Sequence, residues 1–129
     1  MKIIDLQADM RNVDISFRVI KKGEIREITT RNGKKLNLSE VEVGDESGRI
    51  ILTLWDKSID QVEEGKLYIV KNGFIKVIRN ELRLNIGKYG KLEEYEIAED
   101  FVKEEDVPQE FPEPPNNYRP PRKRYSKRR

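Results

Sequence analysis

The chain has 129 residues, with 26 Lys or Arg, 24 Asp or Glu, and neither cysteine nor histidine. It therefore lacks thiolate nucleophiles, disulfides, imidazole bases and the ordinary ligands of zinc and haem, so we expect neither an enzyme nor a metal or cofactor site. Because no apolar run approaches roughly 20 residues and no basic-then-apolar leader opens the chain, we expect a cytoplasmic protein with no membrane partner.

The first strand is predicted by simple alternation. Apolar residues occupy every second position from Val13 to Val19, which is the pattern of a strand with one buried face. Gly23 interrupts the pattern, which resumes at Ile25. An Asn-Gly pair follows, and it is typical of hairpin loops. The cations of this loop are Arg31, Lys34 and Lys35.

The second and third strands are predicted over Leu36–Gly44 and Arg49–Asp56, joined by the tight turn Asp-Glu-Ser-Gly. In the second strand, apolar residues occupy even-numbered positions in the first half and odd-numbered positions in the second half. This change of face predicts a bulge near Ser39–Glu40. In the third strand, the inward set is Ile50, Leu52 and Leu54, and the outward set is Arg49, Ile51, Thr53 and Trp55. Trp55 should therefore lie outside the core.

The fourth strand is predicted over Lys66–Arg79, with a bend at Asn72–Gly73 because glycine resists kinking least. Beyond the bend, Ile75 and Val77 should face inward, and the outward set is Phe74, Lys76 and Ile78. The fifth strand, Leu82–Ile86, completes the core and directs Arg83 and Asn85 outward.

Charge and proline content change beyond the fifth strand. Residues 1–92 carry a net charge of +4, residues 93–113 carry −9 and residues 118–129 carry +7, while all six prolines lie from Pro108 to Pro121. We expect a domain over residues 1–96 and a flexible tail over 97–129, disordered beyond Asp106, because such sequences bury too little apolar area to offset chain entropy. A short helix over Glu94–Asp106 is the alternative, since its apolar residues share one face.

Five strands in fewer than 100 residues favour a closed barrel over an open sheet with two unprotected edges. We predict an all-β fold, namely a five-stranded oligonucleotide-binding (OB) barrel with a disordered charged C-terminal tail. Closure also accounts for Gly23, Gly44 and Gly73, because strands of a small barrel bend sharply at its corners.

Aromatic and cationic side chains converge on the outer face of this barrel. The candidate stacking residues are Trp55, Phe74 and Ile78. The candidate phosphate or polar contacts are Arg31, Lys34, Lys35, Arg49, Thr53, Lys76, Arg79, Arg83 and Asn85. Aromatic faces accept any unpaired base at about 1–3 kcal/mol each, and cations neutralise phosphates. Because a duplex hides its base faces, this set favours single strands.

The same residues also allow purely structural interpretations. Trp55 could seal one end of the barrel, and Phe74 could belong to the core if the kink were displaced by one residue. Outward Lys and Arg commonly form only a solvated face. Glu40 and Glu42 place negative charge on the neighbouring strand.

Three segments resemble the archaeal single-OB single-stranded DNA-binding proteins, namely Met10–Asp14, Gly44–Trp55 and Leu82–Gly87. The B subunits of the eukaryotic sensor-of-single-stranded-DNA complex are similar. The resemblance spans roughly residues 3–93 and implies that Trp55 and Phe74 stack on bases. The third aromatic common in these proteins would fall at Ile78, which implies a weaker apolar contact. The acidic-then-basic tail departs from the family.

We expect a protein that binds single-stranded DNA with little sequence preference and protects it in replication, repair or recombination. RNA or transfer-RNA binding and a protein-interaction subunit are the alternatives. The basic tail should bind phosphates or replication and repair proteins, dock on the acidic stretch, or serve only solubility. We expect a monomer, with weak self-association as the alternative.

Overall fold

The computed structural model describes residues 1–95 and 101–119. This part of the chain forms six β-strands and three 3₁₀ turns. The strands are β1 (Arg11–Lys22), β2 (Arg26–Thr29), β3 (Lys35–Gly44), β4 (Arg49–Trp55), β5 (Leu67–Ile78) and β6 (Glu81–Glu94). The turns are Ile3–Asp5, Asp56–Gln61 and Glu104–Asp106. No helix among these residues is long and apolar enough to cross a membrane.

The sheet closes on itself into a barrel. Its strand order is β1-β5-β6-β4-β3-β2, and β1 also pairs with β3, which closes a ring of five strands. β2 extends the hairpin with β3 beyond this ring. The predicted all-β, five-stranded barrel is confirmed, but one pair, β4 with β6, is parallel. A ring with an odd number of strands cannot alternate direction all the way round, so one parallel pair is unavoidable.

Alternate residues of the strands fill the barrel. The enclosed side chains on β1 and β4 are Val13, Ile15, Phe17, Val19, Ile50, Leu52 and Leu54. On the last two strands Ile75, Leu82 and Leu84 are buried, and Val77 and Ile86 pack against them. The inward faces predicted from alternation are confirmed, and burial of each such side chain contributes about 1.5–3 kcal/mol.

The bulge predicted near Ser39–Glu40 is wrong. β3 pairs with β4 without a shift from Leu38 to Gly44. The irregularity lies on the opposite partner, between Val19 and Lys21 of β1. Ser39 is buried although it is polar, because its hydroxyl donates a hydrogen bond of 3.0 Å to the Gly23 carbonyl. Because Ser39 is polar but buried, it interrupts the alternation of apolar residues without adding a residue to the strand.

β6 continues well beyond its predicted end at Ile86. Its pairing with β5 resumes at Lys91 opposite Lys71 and continues to Glu94 opposite Tyr68. The intervening glycines break the alternation, so the sequence pattern ends before the strand does.

The described part of the predicted tail lies along the barrel, and we call residues 101–119 the strap. Val107, Pro112 and Pro114 of the strap are buried, and Tyr118 donates a 3.0 Å hydrogen bond to Asp9. These contacts differ from the disorder expected beyond Asp106, because spaced apolar residues give the strap area to bury. The described part of the alternative helix forms only a 3₁₀ turn. Residues 96–100 and 120–129 lie outside the described residues, so the domain boundary at residue 96 and the disorder of the basic end stay predictions.

Candidate nucleic-acid interface

A groove crosses the outer face of the barrel over five neighbouring strands, from β2 to β5. Its volume is about 360 Å³. It is lined by Arg26, Leu38, Glu40, Thr53, Trp55, Lys76, Ile78, Arg79, Arg83 and Asn85. Seven of these are predicted site residues, which the closure of the sheet brings together from β4, β5, β6 and the turn after β5.

Trp55 and Ile78 provide the exposed apolar surface of the groove. Trp55 is 39% exposed and Ile78 is 37% exposed, and each is the last residue of its strand. Trp55 is the last residue of β4 and pairs with Leu38 of β3. The prediction that Trp55 lies outside the core is confirmed, and its indole lines the groove.

Phe74 continues the same surface beyond the groove. It pairs with Asn85, which pairs in turn with Thr53, so these residues form one row across β5, β6 and β4. The half-buried Phe74 lines a second cavity of about 340 Å³, which we call the Phe74 cavity. The kink that turns Phe74 outward needs Gly73, because a Cβ there would lie 2.8 Å from the Asn85 carbonyl oxygen.

Acidic side chains neutralise part of the positive charge of the groove. The Glu40 carboxylate lies 3.2 Å from Arg26 Nη2 and 3.1 Å from Arg83 Nε. Glu81 contacts Arg83 Nη2 at 3.0 Å. Glu40 therefore places negative charge in the groove, as expected from the sequence, and pairs with two of the cations that line it.

The turn between β5 and β6 places Arg79 at one end of the groove. Arg79 and Asn80 have φ of +52° and +65°, and they join the paired residues Ile78 and Glu81. Positive φ at both central residues is the geometry of a type I′ hairpin turn, which normally selects Asn or Gly. Arginine in this conformation is uncommon and marks a position worth testing for function.

Two polar groups at the floor of the groove have spare hydrogen-bonding capacity. Thr53 Oγ1 is buried and has no partner within the described part of the chain. Among the described residues, the Asn85 amide makes one long bond of 3.4 Å, from Nδ2 to the Arg83 carbonyl. Buried polar groups without partners are rare, and such groups suit contacts with a ligand.

Arg49 does not lie in the groove, and the prediction that it contacts phosphate is not supported by its placement. Its side chain is only 9% exposed and forms an ion pair of 2.6 Å with Glu42. Its guanidinium also donates to the Val107 and Pro108 carbonyls of the strap. Strand parity correctly placed Arg49 on the outer face, but the strap covers that part of the face.

The predicted basic loop lies on the hairpin of β2 and β3. Arg31, Lys34 and Lys35 are exposed there but do not line the groove. Arg26, from the same hairpin, does line it and was not among the predicted site residues. Arg11 and Tyr89 of the Phe74 cavity were also missed. For Tyr89, the available signal was an aromatic residue closely flanked by glycines.

The resolved pKa shifts lie outside the groove. Desolvation raises the pKa of Tyr118, and its hydrogen bond to Asp9 raises it further. In the turn before β5, the hydrogen bond with Lys66 lowers the pKa of Glu63, and the same bond raises the pKa of Lys66. Among the described residues, no cluster of acidic side chains is arranged to hold a metal ion.

Comparison with known proteins gives sequence and structural relatives. The family described as single-stranded DNA binding protein Ssb-like, OB fold, matches residues 6–94. The single-stranded DNA binding protein Ssb of Saccharolobus solfataricus is 34% identical over 119 residues, which cover 92% of this chain and 78% of that protein. A hypothetical protein of Arabidopsis thaliana has a TM-score of 0.67 at 22% identity, covering 80% of this chain and 77% of that one. The second OB-fold domain of replication protein A from Methanococcus maripaludis has a TM-score of 0.62 at 24% identity, covering 74% and 94%.

Proposed function

This chain belongs to the family of Ssb-like single-stranded DNA binding proteins with an OB fold, and on that premise we propose that its groove binds single-stranded DNA. The resemblance to archaeal single-OB proteins is confirmed, whereas the likeness to the B subunit of the sensor complex stays a prediction. In the proposed complex, bases stack on Trp55 and Phe74, and Ile78 adds an apolar contact. Lys76, Arg79 and Arg83 contact phosphates, with Arg31, Lys34 and Lys35 contributing from the hairpin.

The observation that carries this proposal is the placement of Trp55. Trp55 is 39% exposed and lies in a groove with Lys76, Arg79 and Arg83. A single strand needs both features, because an aromatic face supports the base while cations follow the phosphate track. Stacking accepts any base, so little sequence preference is expected. Thr53 and Asn85 lie between these groups and would supply polar contacts.

We further propose that coating by this protein protects exposed DNA during replication, repair or recombination. Such a role places it with the DNA, in the cytoplasm or nucleoid. In this proposal the protein has no catalytic activity. The basic end of the chain would add phosphate contacts or bind replication and repair proteins, and the protein would act as a monomer.

Fluorescence titration tests the proposed function directly, because Trp55 is the one tryptophan of the chain. Oligothymidine should quench the indole emission in a saturable manner, since a base stacked on the ring deactivates its excited state by direct contact. Anisotropy of a labelled oligonucleotide measures binding independently of the indole. Binding without quenching would contradict the role of Trp55, and the absence of binding would contradict the function. Matched RNA competitors in the same assay decide between DNA and RNA.

A further inference from the structure

A bulge of several residues interrupts β6 beside the Phe74 cavity. Gly73 pairs with Ile86 and Lys71 pairs with Lys91, so two steps along β5 correspond to five steps along β6. The extra residues belong to the segment Gly87–Gly90. Bulges re-aim side chains and occur preferentially next to functional sites.

The bulge directs Tyr89 toward solvent at the mouth of the Phe74 cavity. Tyr89 is 78% exposed, more than any other aromatic residue among the exposed hydrophobic residues of the described chain. It lines the cavity together with Phe74 and Gly87. A ring this exposed contributes little to the core and is accessible to a ligand at the mouth of the cavity.

The flanking glycines let the bulge pass close to Phe74. A Cβ at Gly87 would lie 3.2 Å from Phe74 Cε1, and one at Gly90 would lie 3.0 Å from the Asn72 carbonyl oxygen. Side chains at these positions would push β6 away from β5. The glycines therefore keep Tyr89 and Phe74 on the walls of one cavity.

The remaining lining of the Phe74 cavity suits a nucleotide. Arg11 is exposed and supplies a positive charge at the mouth. Asn12 and Asn72 hold left-handed backbone, with φ of +55° and +57°, and both line the cavity. Such conformations cluster at ligand sites, and Asn tolerates them better than most residues. Their amides can donate to and accept from a base.

We propose that the Phe74 cavity is a second base-binding subsite, in which Tyr89 is a further stacking residue. Along β5, Asn72 and Ile78 lie on opposite sides of Phe74, so the cavity continues the outer surface beyond Phe74 on the side away from Ile78. This inference rests on the proposed function. Stacking on Tyr89 compensates for the weaker apolar contact that Ile78 makes in place of an aromatic residue. It also lengthens the stretch of DNA that one molecule binds.

Oligothymidines of increasing length test the subsite with the full chain. Tyr89→Ala should leave affinity for the shortest binding oligonucleotides unchanged, because they reach only Trp55 and Phe74. For oligonucleotides that also fill the Phe74 cavity, affinity should fall by about 5- to 150-fold, the range expected for one lost stack. Tyr89→Phe should retain most of the affinity, because stacking needs the ring and not the hydroxyl. Ile4→Ala, at an exposed site in the first 3₁₀ turn, is the control.

Photo-crosslinking locates the base directly. An oligonucleotide with 5-iodouracil at one end should crosslink to Tyr89, and the crosslinked residue is identified by mass spectrometry. Unchanged affinity of Tyr89→Ala at every length, or an equal loss at every length, overturns the inference, as does the absence of a crosslink at Tyr89. If wild type binds and quenches Trp55 while these results appear, only the subsite fails. If wild type does not bind, the proposed function itself fails.

Discussion

Neighbouring residues of β4 face opposite environments. Leu54 is 1% exposed, whereas Trp55 is 39% exposed. The pleat of a strand causes this difference, since consecutive side chains point to opposite faces. Stability and binding should therefore be separable at adjacent positions.

We expect Leu54→Ala to lower the free energy of unfolding by about 2–5 kcal/mol, because it leaves a cavity in the core. Trp55→Ala should leave unfolding nearly unchanged and weaken oligothymidine binding by about 5- to 150-fold through a lost stack. Urea unfolding and anisotropy measure the two effects. A Trp55→Ala protein that unfolds, beside a stable Leu54→Ala protein, would show that the facing of β4 is inverted.

Glu40 offers a second prediction for a single residue. Its carboxylate lies in the groove between Arg26 and Arg83. Glu40→Gln keeps the shape and removes a charge that repels phosphate, an interaction of about 1 kcal/mol for charges roughly 4 Å apart in water. We expect an affinity for oligothymidine about fivefold higher at low salt.

Glu63→Gln provides the matched control for Glu40→Gln. Glu63 loses the same charge but pairs with Lys66 in the turn before β5. An equal rise in affinity for both variants would show that net charge matters and that the position of Glu40 does not.

At the scale of elements, the strap changes the role of the face that it covers. Arg49 Nη2 donates to the Val107 carbonyl, and the backbone amide of Arg49 donates to Glu110. The strap then ends beside the first strand, where Tyr118 contacts Asp9. The alternation of β4 places Arg49 on the outer face, where it was expected to contact DNA. In the structure, Arg49 instead binds the chain's own C-terminal segment.

The contact between Tyr118 and Asp9 should weaken in alkaline solution. Desolvation and the hydrogen bond to Asp9 raise the pKa of Tyr118 above its ordinary value of about 10. A raised pKa means that the neutral phenol stabilises the folded state, so this contribution is complete below the ordinary value and is lost as pH rises through the raised one. The phenolate absorbance of wild type minus that of Tyr118→Phe measures the titration.

Asp9→Asn removes the anion that disfavours the phenolate, so the pKa of Tyr118 should move back toward its ordinary value. A Tyr118 that titrates at or below the ordinary value in the wild-type chain would show that the contact is absent in solution.

At the scale of the whole molecule, charge distribution matters more than the net charge of +2. Residues 1–92 are net positive, and five cations line the groove and the Phe74 cavity, namely Arg11, Arg26, Lys76, Arg79 and Arg83. Of the ten acidic residues between positions 93 and 113, five lie in the strap, namely Glu104, Glu105, Asp106, Glu110 and Glu113.

If four or five phosphates are neutralised, the logarithm of affinity should fall with the logarithm of salt concentration with a slope near −3, from about 0.7 per contact in single strands. Titrations at several salt concentrations give this slope. A slope near zero would contradict the electrostatic part of the proposal. A chain that ends at Arg119 retains the strap, and a shallower slope for it would assign phosphate contacts to the basic end.

Much of the barrel follows from local patterns. Alternation predicted the inward faces of β1 and β4, and the Asn72–Gly73 kink predicted the outward direction of Phe74. These features depend on the two-residue period of a strand, which is visible along the chain. The bulge near Ser39 was wrongly predicted because a buried serine, hydrogen-bonded to the backbone, interrupts the apolar alternation in the sequence in the same way as an extra residue would.

By itself, the sequence determined which side chains face outward, since the strand period is a local property. The tertiary structure alone decided which of them meet. Arg49 binds carbonyls 58 and 59 residues away, and Tyr89 lines the same cavity as Phe74 because of a bulge whose size depends on the pairing of β5 with β6. Contacts between distant segments depend on barrel closure, which no local pattern encodes.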